Sequence, residues 1–199
     1  MKRLINTLVF VALTLFSTNS FSYNPEPKTF IDELVKDATA TLSNKSISKV
    51  DKLKKIKSIA LQNVDIEALS MYTLGQARKN LNQAKLEEYK GLFESYFLKN
   101  LTSRLKDYSS QKFTVLEADQ KSEIYTIVSS QIEKNSSGPE IKIDWRVYTK
   151  DPARPLVRDL IVEGLSLAKT QKEEFASILN SNNNDIDVLF EKLRDFIKN

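Results

Sequence analysis

The chain changes its hydrophobic period twice, and few folds accommodate that order. Residues 26–108 carry apolar side chains at three- and four-residue spacing, with no proline between Pro27 and Pro139. That is the pattern of helices buried along one stripe. Residues 112–164 switch to alternation bounded by turn residues, and residues 168–198 return to the helical period. Helices gathered before and after a block of strands predict an α+β fold. Its sheet is antiparallel, curved and four-stranded, packed against a helical layer.

The first helix is expected over about 28–42, with Phe30, Leu34, Ala38 and Leu42 on one face. The second covers about 47–62, with Val50, Leu53, Ile56, Ala60 and Leu61 as its stripe. Asp65 is placed to cap a third helix that runs to about Arg78, and Asn82 to cap the longest, 83–108. In that helix Leu86, Tyr89, Phe93, Phe97, Leu101, Leu105 and Tyr108 make a broad aromatic face, suited to lying across a sheet.

Strands are predicted at 112–118, 123–132, 140–149 and 156–163. A short turn at Asp119–Ser122 and a longer one at Asn135–Pro139 join the first three. The third strand alternates cleanly: Ile141, Ile143, Trp145 and Val147 share one face, and Lys142, Asp144, Arg146 and Tyr148 the other. The fourth has apolar residues on both faces, Leu160 and Val162 on one and Ile161 on the other, so it is buried on both sides. Asp159 and Glu163 interrupt it on a single face about 13 Å apart. That is too far for a paired-carboxylate hydrolase centre, so a structural role around the exit at Gly164 is expected. Thr170–Glu173 reads as a capping box for a helix to about Asn180. A polar turn then leads to a last helix at 185–198.

The N-terminus reads as an export signal. Lys2 and Arg3 precede a thirteen-residue apolar run, Leu4 to Phe16, too short to span a bilayer. Small residues at Ser20 and Ser22 place cleavage after Ser22, leaving a single domain over residues 23–199. Without Lys2 and Arg3 the balance is 28 basic to 26 acidic residues, which gives no electrostatic case for nucleic acid. The chain has no cysteine and no histidine. It therefore lacks a disulfide framework, a thiol nucleophile, a Ser-His-Asp triad and any His- or Cys-based metal site. No cofactor is expected.

The string Asp159-Leu-Ile-Val-Glu-Gly-Leu-Ser-Leu167 resembles the signature of the MlaC family. Asp65, Leu74-Gly75, Asn82, Glu88-Tyr89, Phe93, Leu98, Leu101, Leu105 and Tyr108 extend the resemblance, as do Ser166, Lys172 and Phe175. Two departures are visible: Arg78 stands where members often have tryptophan, and Ala153-Arg154-Pro155 where many have Gly-x-Trp. The family are periplasmic phospholipid carriers, also called toluene-tolerance auxiliary components. The resemblance implies a non-enzymatic carrier of diacyl phospholipid that maintains outer-membrane lipid asymmetry. Its implied partners are an inner-membrane ABC transporter complex and an outer-membrane lipoprotein/porin complex, and a monomer is expected.

Carrying a diacyl lipid needs no catalytic residue. About thirty methylenes leaving a membrane cost on the order of 20–25 kcal/mol, which a dry apolar pocket has to offset. The candidate lining is Val115, Val128, Ile143, Trp145, Val147, Leu160 and Val162 from the sheet. Phe93, Phe97 and Leu101 are the candidate roof. Apolar alternation is the same in a filled core and a hollow one, so the resemblance carries the cavity inference and periodicity only permits it. Two other readings stay open. One is a periplasmic adaptor or chaperone. The other is a small-molecule enzyme on a cone-shaped α+β scaffold, using Asp144 or Asp159. Lys49, Lys52, Lys54, Lys55 and Lys57 crowd the second helix, either as a solvated face or as an electrostatic docking surface.

Overall fold

A computed structural model of the protein describes residues 23–104, 112–134 and 138–199. Six α-helices and a five-stranded antiparallel sheet are formed among them. The helices are α1 (Pro27–Ser43), α2 (Lys49–Asn63), α3 (Ile66–Leu74), α4 (Gln83–Arg104), α5 (Leu167–Asn180) and α6 (Ile186–Lys198). The strands are β1 (Phe113–Ser122), β2 (Tyr125–Ile132), β3 (Ile141–Tyr148), β4 (Leu156–Val162) and β5 (Leu165–Ser166), paired in chain order as an open meander. The expected α+β class holds, with one strand more than the four expected. The proposed signal segment, Leu105, Tyr108 and residues 135–137 lie outside the described residues.

Most helix starts follow from side-chain caps. Glu26 accepts from the Lys28 and Thr29 amides with Pro27 in the first turn, and Ser48 accepts from Asp51. Asp65 accepts from the Ala68 amide and Asn82 from the Lys85 amide, as read from the sequence. α3 stops earlier than expected. Gly75 takes a φ of +59°, which ends the α-helix at Leu74, and residues Gly75–Asn80 continue as a 3-10 turn.

The strands correct the expected turns. β1 runs through Asp119–Ser122, and the hairpin turns at Glu123–Ile124 instead. The polarity of 119–122 reflects an exposed edge strand, and a register shift between Gln120 and Ser122 keeps it paired. At the other edge Glu163 (φ +50°) and Gly164 (φ +81°) form a two-residue turn. Both central residues have positive φ, which suits a tight hairpin, and Leu165–Ser166 folds back on Val162 and Ile161 as β5. Glu163 is therefore a turn residue rather than a strand residue. Its carboxylate accepts from the Lys142 amide on β3.

α5 likewise begins before the expected capping box. Ser166 caps it by accepting from the Lys169 amide, and Asp159 accepts from the Ala168 amide at 3.0 Å. Thr170 lies inside the helix and donates to the Ser166 carbonyl.

Two apolar clusters result. The helical one gathers Leu69, Tyr89, Phe93, Phe175, Leu189 and Phe190, with the Tyr89 hydroxyl held 2.9 Å from Thr73 Oγ1. The second joins Phe30, Ile31 and Leu34 of α1 to Val128, Val147 and Val157 of the sheet. α4 packs on α2, α3 and α6 rather than lying across the sheet, a place taken by α1. Val64 touches both clusters, and the Asp65 amide donates to the Val157 carbonyl. Arg158, the extra residue of a bulge in β4, bonds Asp65 and the Tyr125 hydroxyl and stacks 3.3 Å over the Tyr148 ring. One side chain thus ties the start of α3 to three strands.

Candidate functional site

The register of the sheet decides which side chains share a face. One row runs Val115–Ser130–Ile143–Val162–Leu165 across all five strands. Beside it lie Ala118–Val128–Trp145–Leu160, Phe113–Ile132–Ile141, and Gln120–Thr126–Val147–Val157. All seven sheet residues singled out from the sequence fall on this face. The bulges in β1 and β4 matter here. A register shift at Leu116 puts Val115 and Ala118 on the same side, and the one at Arg158 does the same for Val157 and Leu160.

α1 covers only part of that face. Val128, Val147 and Val157 are buried beneath it. Phe113, Val115, Ile141, Ile143, Trp145, Leu160 and Val162 are half-buried, and Leu165 is 58% exposed. Two polar side chains in the middle of the face pair with each other. Trp145 Nε1 donates to Ser130 Oγ at 2.9 Å, and that hydroxyl donates to the Ile143 carbonyl at 2.8 Å. The Phe113 ring meets Trp145 edge-on at 6.1 Å. The sheet therefore presents a partly covered shelf of apolar side chains, of which Val115, Trp145 and Leu160 also pack against the α1 cluster.

The structure does not bring the proposed roof to this shelf. Phe93 is buried in the helical cluster, stacked on Phe97 and edge-on to Phe175. Phe97 packs against the same cluster, and Leu101 is half-buried in the last turns of α4. The cover is supplied by Phe30, Ile31, Leu34 and Val35 of α1, with Ile59 of α2. The 3.6-residue stripe of α1 was legible in the sequence. Which helix lies on the sheet is a matter of topology, and no local pattern carries it.

The opposite face of the sheet is different. A broad open cleft of about 650 Å³ there is bordered by Glu117, Asp119, Tyr125, Ser129, Asp144 and Arg146. Asp144 accepts from Ser129 Oγ at 2.7 Å. Five charged side chains, Glu117, Asp119, Lys121, Asp144 and Arg146, line it beside Ile127 and Ile161, so it is a poorer lining for acyl chains than the apolar shelf.

Asp159 sits in the middle of β4, against the start of α5, and is 4% exposed. It accepts from Ser166 Oγ at 2.6 Å and from the Ala168 amide, with Arg146 at 3.9 Å. Its partners are those of a helix-start anchor, as expected from the sequence. Among the described residues no three acidic side chains converge as a metal site requires.

The MlaC protein family model matches residues 28–195. The chain belongs to the MlaC family. None of the curated proteins matches it. Among solved structures, a phospholipid-binding protein from Ralstonia solanacearum in complex with a phospholipid shares the fold. The TM-score is 0.70 at 19% identity, over 84% of this chain and 94% of that one. Within this MlaC-family chain the signature string is thus the fourth strand, the β4–β5 turn and the capped start of α5. Its acids organise the backbone, while Leu160, Val162 and Leu165 extend the apolar shelf.

Proposed function

We propose that this protein is a periplasmic phospholipid carrier, and that the half-covered apolar shelf of the sheet is where the acyl chains lie. The carrying observation is the shelf itself. A mostly apolar row of side chains spans the five strands and is only partly covered by α1, in a member of the MlaC family. The fold it shares with a protein solved with phospholipid supports the same reading. Val115, Ile143, Trp145, Leu160 and Val162 line the acyl site, Val128 and Val147 form its floor, and Phe30, Ile31, Leu34 and Val35 of α1 flank it. The headgroup remains in water.

Residues 1–22 act as the export signal, and residues 23–199 form one lipid-binding domain that works as a monomer. The carrier moves lipid between an outer-membrane lipoprotein/porin complex and an inner-membrane ABC complex, which maintains outer-membrane asymmetry. No reaction is assigned, because the carboxylates Asp144 and Asp159 are engaged in hydrogen bonds that hold the sheet and α5.

The test is solvent extraction of natively purified protein followed by mass spectrometry. Glycerophospholipid is expected near one molecule per chain, and folded Trp145→Asp is expected to lose most of it. Protein that holds no lipid and takes up none when it is offered overturns the proposal.

A further inference from the structure

The carrier reading leaves the outer face of α2 unused. α2 buries Ile56, Ala60 and Asn63 and turns its other side to water. On that side Val50, Lys54, Lys57 and Leu61 follow at spacings of four, three and four, a single stripe along the helix. Val50 is 73% exposed and Leu61 46% exposed. At 1.5 Å per residue they stand about 16 Å apart along the axis, with the two lysines between them.

The charge around the stripe has one sign. Six lysines and a single acid, Asp51, lie between residues 45 and 57. Asp51 is occupied by the Ser48 hydroxyl, Lys55 by Asp37, and Lys52 by the Leu42 carbonyl. Lys45, Lys49, Lys54 and Lys57 have no ion-pair partner among the described residues, and all four are exposed or nearly so. Exposed aliphatic side chains interleaved with unneutralised lysines on one helix face match the surface of an anionic bilayer. The lysines reach phosphates while the aliphatic groups enter the headgroup boundary.

We propose that the Val50–Lys54–Lys57–Leu61 face of α2 docks the protein on anionic membrane. Two features favour a bilayer over an acidic protein. The basic residues here are all lysines, mobile point charges without the planar fork that reads a defined carboxylate geometry. They are also spread along a convex helix rather than converging on a groove, so they fit an extended sheet of charge better than a shaped partner.

The experiment is co-sedimentation with vesicles of 30% phosphatidylglycerol in phosphatidylethanolamine, against pure phosphatidylcholine. The protein is purified after expression of the full chain, and its N-terminus is read by mass spectrometry. Each lysine at an anionic surface is worth about five-fold in partitioning. Lys54→Ala with Lys57→Ala is therefore expected to weaken binding about 25-fold, and 0.5 M salt to weaken it comparably. Val50→Ser with Leu61→Ser is expected to weaken it several-fold at unchanged salt dependence. All four positions are exposed, so folding is expected to survive, and circular dichroism checks it. Equal binding to both vesicle types, no binding at all, or unchanged binding by the lysine variant overturns the proposal. So does a finding that the lysine variant loses only cross-links to another envelope protein, which makes the face a protein-docking one. Binding is read as protein on vesicles, not lipid in protein. Folded Trp145→Asp is expected to sediment like wild type, so failure here and failure of the cargo proposal are distinguishable.

Discussion

Asp159→Ala should unfold this protein markedly more easily, although the residue touches no proposed ligand. The carboxylate is almost fully buried and holds two donors, Ser166 Oγ at 2.6 Å and the Ala168 amide at 3.0 Å. The amide is one of the orphan donors of a helix start and is buried, so losing its acceptor costs about 1–3 kcal/mol. Ser166 is half-buried and reaches water more easily, which puts its loss near 1 kcal/mol. The Arg146 pair, at 3.9 Å with a 45% exposed guanidinium, adds little. Together the expected loss is about 2–4 kcal/mol. With a urea m-value of about 2 kcal/mol/M, the midpoint should fall by roughly 1–2 M at unchanged slope. Asp159→Asn keeps an acceptor for Ala168 but no longer accepts from Ser166, so about half that shift is expected. A double-mutant cycle with Ser166→Ala should return a coupling of about 1 kcal/mol. An Asp159→Ala midpoint within about 0.3 M of wild type refutes the anchoring role.

Two further predictions concern backbone and charge. Gly164→Ala should destabilise by about 1–2 kcal/mol, because φ is +81° and a Cβ there meets no other atom, leaving backbone strain as the only cost. Gly91→Ala, in the exposed middle of α4 where a Cβ also meets nothing, should stabilise by about 0.5–1 kcal/mol. Equal signs in urea unfolding contradict this. Burial raises the pKa of Asp37, but hydrogen bonds from Lys55 and the Tyr23 hydroxyl lower it more, so it lies below the ordinary carboxylate value. A depressed folded pKa gives stability that is present above the ordinary range and lost as pH falls through the folded value. The stability gap between wild type and Asp37→Asn should therefore be full at pH 7 and shrink in acid, and a gap independent of pH between 7 and about 2 refutes the assignment.

The parts of the fold legible in the sequence are those carried by local patterns. The α1 and α4 stripes, the caps at Asp65 and Asn82, and the alternation of β3 needed only neighbours in the chain. The errors have a common cause. Asp119–Ser122 looked like a turn because an exposed edge strand is as polar as a turn. Thr170–Glu173 looked like a helix start because its acceptors resemble a capping box, while the real anchor, Asp159, lies eight residues before the first residue of α5. The one-face grouping of the sheet candidates was legible within each strand. Across strands it depended on bulges at Leu116 and Arg158, which leave no sequence signal beyond an unbroken run. Placing α4 over the sheet failed because an aromatic stripe says that a helix is buried, not against what.

If acyl chains lie on the apolar face of the sheet, a photoreactive acyl chain must mark that face. Photo-cross-linking with a phospholipid that carries a diazirine in its acyl chain tests it most directly, with adducts mapped by peptide mass spectrometry. Adducts are expected on Val115, Ile143, Trp145, Leu160 and Val162, competed away by unlabelled lipid. Adducts concentrated on the opposite face, at Ile127, Arg146 and Ile161, would contradict that placement.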